Sequence, residues 1–195
     1  MITSIHQLDA HATYSYADYL KWQIDGYVEL IRGKVFKMAA PTSNHQKISM
    51  TLSRIIATHL AKSNCEVFAA PFDVRLPRFS EKDNKEIFTV VQPDMCVICD
   101  KSKIDIKGCV GAPDLIIEII SPGNSKKELK DKYSIYQESG VKEYWILNPA
   151  EKNVLRFILN EQGIYVGLQP LTEDDILVTP ILENLKIDLQ DVFQE

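Results

Sequence analysis

The sequence predicts a single α/β (α+β) domain built on a mixed sheet with helices on its faces, and three observations carry that prediction. An amphipathic helical segment over roughly 45–62 is followed by three extended segments. A second helical segment, 125–139, comes directly after the most apolar of the three. A further extended segment then follows. Helix, three strands, helix, strand is the order of a three-strand meander joined by a helical crossover to a fourth strand. The length of 195 residues suits one domain. Residues 1–195 divide into an N-terminal helix and hairpin (1–44), a core (45–160) and a C-terminal strand-and-turn extension (161–195).

Each element has a local reason. Ser15 to Gln23 reads as a short helix, with Ser15 and Asp18 at capping-box spacing. Tyr27–Ile31 and Lys34–Ala40 form a hairpin across Arg32-Gly33, where glycine supplies positive φ. Ser43, with Gln46 three residues on, is the expected cap of the first core helix, whose Ile48, Leu52, Ile55, Ile56 and Leu60 share one face. Cys65–Leu76, Glu86–Cys99 and Asp114–Ile120 are the three extended segments, the last apolar enough to be central. Ser125 and Glu128 repeat the capping-box spacing, and Gly140 ends that helix in the left-handed conformation. Val141–Leu147 and Val154–Leu159 are further strands. The tail, 176–193, is short strand and turn with a final helical piece. The hairpin before the core is expected to extend the sheet or shield one edge.

Composition narrows the function classes. With 45% hydrophobic and 25% charged residues the chain is neither disordered nor a repeat fibre. No apolar run approaches a membrane span and the N-terminus has no secretory-signal pattern, so a cytoplasmic location is expected. A net charge of −5 argues against bulk attraction to nucleic acid or anionic membrane. Two clusters, Lys101/Lys103/Lys107 and Lys126/Lys127/Lys130/Lys132, are either solvated surface or a local basic groove. Cys96 and Cys99 have zinc-like spacing, but residues three apart on a strand point to opposite faces. Cys65, Cys96, Cys99 and Cys109 are therefore expected to be free thiols.

The chemistry concentrates in two strands. Glu118 stands among apolar neighbours in Asp114-Leu115-Ile116-Ile117-Glu118-Ile119-Ile120, and a buried carboxylate must be paired, neutral or bound to a cation. If its strand pairs with the one carrying Pro93-Asp94, Asp94 and Glu118 face each other across ~4.8 Å. Two carboxylates that close repel, and Mg²⁺ or Mn²⁺ relieves the conflict by accepting oxygens from both. Asp114, four residues from Glu118 on the same face, lies ~13 Å away and cannot share that ion.

The ordered strings Tyr27-Val28-Glu29-Leu30-Ile31-Arg32-Gly33, Met38, Pro41, His45, Gln92-Pro93-Asp94, Gly111-Ala112-Pro113-Asp114 through Ser121-Pro122, Lys132 with Tyr136, Gly140-Val141-Lys142-Glu143-Tyr144-Trp145 and Ile181 to Leu189 span nearly the whole chain. They resemble a large bacterial family of putative restriction endonucleases within the PD-(D/E)XK nuclease superfamily. The resemblance implies a restriction-endonuclease-like αβββαβ core, DNA as substrate, Mg²⁺ or Mn²⁺ held by Asp94 and Glu118, and two copies acting as a homodimer. The motif lysine, two residues after the acid, is replaced by Ile120. Lys132 is the nearest substitute as third catalytic residue, and the alternative is a Glu128–Lys132 surface pair. Glu29 is either a hairpin salt-bridge partner or an extra ligand, and His45 either a helix-end hydrogen bonder or a ligand. Lys126 and Lys127 are candidate DNA contacts. A nuclease-fold module that binds DNA without cutting it, or an interaction protein without nucleic acid, are the competing readings.

Overall fold

In the computed structural model, described over residues 1–78, 83–121 and 126–194 and without the side chains of 126–128, local sequence rules account for most elements. Helix α1 (Tyr16–Tyr19) is capped by Ser15, which forms the expected box with Asp18. Strands β1 (Val28–Ile31) and β2 (Lys34–Lys37) join through Arg32 and Gly33, both at positive φ (51° and 76°). A side chain on Gly33 would meet Thr13 at 2.4 Å, so the turn and its packing both require glycine. Helix α2 (Ser43–Leu60) follows, and its cap is Thr42, whose hydroxyl accepts from His45 N at 3.2 Å, not Ser43 as the sequence suggested. Either residue satisfies the chemistry, and the helix begins one position earlier than capping by Ser43 would allow.

The remaining strands are β3 (Glu66–Ala69), β4 (Val74–Arg75), β5 (Val90–Val91), β6 (Met95–Ile98), β7 (Ile104–Asp105), β8 (Gly108–Val110) and β9 (Leu115–Ile119). After helix α3 (Lys126–Ser139) come β10 (Glu143–Asn148), β11 (Asn153–Leu159), β12 (Tyr165–Gly167), β13 (Leu171–Thr172), β14 (Ile176–Val178), β15 (Lys186–Asp188) and helix α4 (Leu189–Val192). The expected box of Ser125 and Glu128 falls outside the described residues, as do the side chains of Lys126 and Lys127. Gly140 ends α3 at φ 84°.

Two of the expected long strands are broken, because each serves two sheets. Cys65–Leu76 divides into β3 and β4 around the cis Ala70–Pro71 bond, and Glu86–Cys99 divides into β5 and β6 at Gln92-Pro93-Asp94. The main sheet runs β12-β11-β10-β9-β6-β3; β3, β6 and β9 are antiparallel neighbours, and α3 crosses to β10, parallel to β9. The second sheet runs β2-β1-β5-β4-β8-β7. The N-terminal hairpin therefore neither extends nor edges the main sheet: it belongs to the second sheet, paired with β5.

Alternation along the central strands sorts the core. Met95, Val97, Leu115, Ile117 and Ile119 pack with Ile48, Leu52 and Ile56 of α2, while Cys96, Ile98 and Ile116 pack with Ile135 and Tyr136 of α3. Cys96 and Cys99 do lie with different clusters, as the strand geometry requires. The expectation of four free thiols is overturned: Cys65 and Cys99 form a disulfide, and Cys96 and Cys109 are free and buried. The β3–β6 register sets Glu66 against Ile98, so the two residues flanking that pair meet directly across the strands. No helix among the described residues is long and apolar enough to cross a membrane.

Candidate active site

The pairing of β6 with β9 sets Met95 against Ile117. Continued by one residue, that antiparallel register sets Asp94 opposite Glu118. Asp94 lies where the chain passes from the second sheet into the main one, after a proline that cannot donate to a ladder. The carboxylate is held from two sides: Oδ2 accepts the Ile119 backbone N–H at 2.7 Å, and Oδ1 faces His45 Nε2 at 3.1 Å. His45 sits in the first turn of α2. Burial disfavours its charged form, but the hydrogen bond and charge of Asp94 and the charge of Glu118 outweigh that and hold the imidazole pKa above its ordinary value. His45 thus bonds from the first turn of α2 to the carboxylate of Asp94.

Glu118 faces α3. Lys132 Nζ donates to its Oε1 at 2.9 Å and Tyr136 OH at 2.6 Å. Lys132 and Tyr136 stand four residues apart, hence on one face of the helix. The same ammonium lies 3.1 Å from Glu29 Oε1, which also accepts the Gln92 backbone N–H at 2.8 Å. Lys132 is only 4% exposed and Glu29 1%, so the surface-pair reading of Lys132 is set aside, while Glu29 is a salt-bridge partner whose cation lies on α3. One buried cation serves two buried carboxylates. Burial pushes the Glu118 carboxyl up to about 7; Lys132 opposes this, the charges of Asp94 and Glu29 add to it, and the Tyr136 hydrogen bond opposes it. The attraction of both carboxylates keeps Lys132 charged against the cost of its burial.

Glu118, Asp94, His45, Lys132 and Gln92 open on one cleft of about 340 Å³. Gln92 is a residue that reading for titratable groups passes over. Its Nε2 donates to Asp73 Oδ1 at 2.8 Å, and Tyr16 OH donates to Asp73 Oδ2 at 2.9 Å, so a polar chain runs from α1 to the cleft wall. The Gln92-Pro93-Asp94 string was its only signal in the sequence. Asp114 stays apart, accepting from Lys142 Nζ at 2.6 Å and from Cys99 N at 2.8 Å. Lys101 pairs with Glu66 and Lys103 donates to the Ala112 carbonyl, so neither reaches the cleft. Lys107 is on the β7–β8 hairpin, at the far edge of the second sheet.

Among the described residues no group of three or more His, Cys, Asp and Glu side chains converges as a complete metal cage. The donor set still suits a hard divalent cation, which takes one or two carboxylates and completes its shell with water and phosphate oxygens. Asp94 and Glu118 supply carboxylate oxygens at one cleft, and all described partners of Glu118 engage Oε1 alone.

The mixed α/β fold brings two facing acids and a lysine to one cleft at the strand ends, and comparison with known proteins places the chain among nuclease-like proteins. Residues 16–190 match the Uma2 family model, described as "Putative restriction endonuclease", and the chain belongs to that family. It is 22% identical over 176 residues to an uncharacterized protein of Synechocystis sp. (strain PCC 6803), covering 88% of each chain. A second uncharacterized Synechocystis protein is 25% identical over 111 residues, or 56% of this chain and 58% of that one. The fold is similar to the crystal structure of a "putative nuclease belonging to DUF820" from Anabaena variabilis, with a TM-score of 0.71 and 18% identity over 92% of this chain and 97% of that one.

Proposed function

We propose that the protein is a Mg²⁺- or Mn²⁺-dependent endonuclease that hydrolyses phosphodiester bonds in DNA, with Asp94 and Glu118 as metal ligands and Lys132 as the third catalytic residue. The observation that carries this reading is the position of Lys132, whose charged amine reaches Glu118 from helix α3 although Ile120 occupies the position of the motif lysine. A divalent ion at this site would polarise the scissile phosphate and lower the pKa of a bound water. His45 and the Ile119 N–H orient Asp94, and Tyr136 orients Glu118. Glu29 retains Lys132 when Glu118 turns to another cation, so Glu29 is a positioning residue and not a ligand. Lys132 then has N–H donors for the negative charge that develops on the phosphoryl oxygens as water attacks phosphorus and the P–O bond to the leaving alcohol breaks. Two such chains, as a homodimer, would cut both strands.

Ile120 at the position of the motif lysine favours a second reading, a DNA-binding module of the same fold that does not cut. Plasmid incubation separates the two. The nuclease reading expects nicking with Mg²⁺ or Mn²⁺, abolished by Asp94→Asn, and Mn²⁺ binding by calorimetry that Glu118→Gln weakens at least ~10-fold. An intact plasmid with either metal leaves the binding module.

A further inference from the structure

Over its described lining, the cleft that holds the acids offers little for the backbone of a duplex. Its cationic lining, among the described residues, is Lys132 and His45, both more than nine-tenths buried and both paired with carboxylates. Proteins that hold duplex DNA by its backbone present exposed Lys and Arg to many phosphates, and no described residue lining this cleft does so. The mouth is apolar instead. Tyr27 is 55% exposed and Met50 70% exposed, and Met38, Pro41 and Pro71 line the same cleft. An exposed ring and a polarisable thioether beside an acidic floor form a surface for a nucleobase, since every base offers a π-face. The volume of about 340 Å³ lies at the low end of the ~300–1,000 Å³ of pockets that enclose small ligands, which is room for one nucleotide.

We infer that the cleft takes one unpaired nucleotide of a DNA strand, its base against Tyr27 and Met50 and its phosphate toward the divalent cation that Asp94 and Glu118 would hold, so that single-stranded or frayed DNA is the preferred substrate over intact duplex. The inference rests on the nuclease reading for the phosphate and stands on the rim residues for the base. Stacking supplies attraction where a net charge of −5 gives no bulk pull on phosphate.

The test is fluorescence anisotropy in Ca²⁺ buffer with a short labelled mixed-sequence DNA strand, free or annealed to its complement, against wild type, Tyr27→Ala, Tyr27→Phe and Met50→Ala. Both positions are exposed, and circular dichroism checks that the variants fold. The free strand should bind at least ~10-fold tighter than the duplex, and Tyr27→Ala should weaken strand binding roughly five- to a hundredfold, as loss of one base–aromatic stack does. Tyr27→Phe should bind as wild type. Equal affinity for duplex, or an unchanged Tyr27→Ala variant, overturns the inference. Cleavage assays on the same DNAs keep the two readings apart. Cutting of duplex alone, dependent on Asp94, removes the strand preference and leaves the nuclease standing. Tyr27-dependent strand binding with no cutting in Mg²⁺ or Mn²⁺ supports the occupant and removes the nuclease.

Discussion

Replacing Lys132 by methionine keeps most of the apolar stem and deletes the single charge that Glu29 and Glu118 share. The amine lies 2.9 Å from one carboxylate and 3.1 Å from the other, with both partners buried. Removing one member of a buried charge set costs about 3–5 kcal/mol, because the partner is left uncompensated. Glu118 limits the loss by taking up a proton, since its carboxyl already sits at about 7 and rises further without Lys132. A raised carboxyl favours the folded state below its ordinary pKa and loses that contribution as pH rises through the folded value. Lys132→Met should therefore cost about 3–5 kcal/mol at pH 8 and ~1 kcal/mol less at pH 6, since over those two pH values the Glu118 of the variant gains about one further tenfold in proton binding over wild type, worth about 1.36 kcal/mol. Adding Glu29→Gln should restore at least ~1 kcal/mol at pH 8, because only one buried carboxylate then remains. Urea denaturation at the two pH values measures all three, with the exposed Lys130→Met as control. A loss below ~1 kcal/mol at pH 8, or one indifferent to pH, would refute the shared-cation account.

Three further outcomes are expected. From pH 6 to pH 8 in EDTA, wild type should lose on the order of 1 kcal/mol through Glu118, whose burial holds its carboxyl well above the ordinary carboxylate range; the urea-derived stability of Glu118→Gln should be flatter by a similar amount, and parallel curves would contradict a raised Glu118 carboxyl. Thr179→Val should destabilise by ~1–3 kcal/mol in chemical denaturation, because fully buried Glu143 then loses the hydroxyl donor that ties the C-terminal extension to β10. Thiol titration of the denatured, unreduced protein should find two reactive cysteines, Cys96 and Cys109, and four would remove the disulfide.

Local signals were enough for the hairpin at Arg32-Gly33, the Ser15–Asp18 cap, both core helices and the apolar strand around Glu118. They also reached Asp94 and Glu118 as a pair, because antiparallel neighbours with one proline-marked start have few registers open. What stayed hidden depends on contacts far apart in sequence. The Cys65–Cys99 disulfide spans 34 residues and exists only because β3 pairs with β6. The second sheet needs β4 and β8 side by side, where Gly108 lets the chain approach Asp73 so closely that a side chain would meet its carbonyl oxygen at 2.1 Å. Glu29 gave no sign of its partner, since that partner lies on α3, more than a hundred residues on. Strand breaks at Ala70-Pro71 and Gln92-Pro93 were written in proline, yet only the two-sheet topology tells why the chain must turn there.

Lys132 and Tyr136 both close on one oxygen of Glu118, and both belong to a helix made after the carboxylates in chain order. A chain folded only as far as β9 holds Glu29, Asp94 and Glu118 without the Lys132 counter-charge, a cluster that repels itself and draws protons. Seating the helix brings the ammonium and the phenol together and quiets that repulsion in one step. The docking of α3 thus sets the charge balance beneath the cleft: fraying it would leave Glu29 and Glu118 buried without the cation they share.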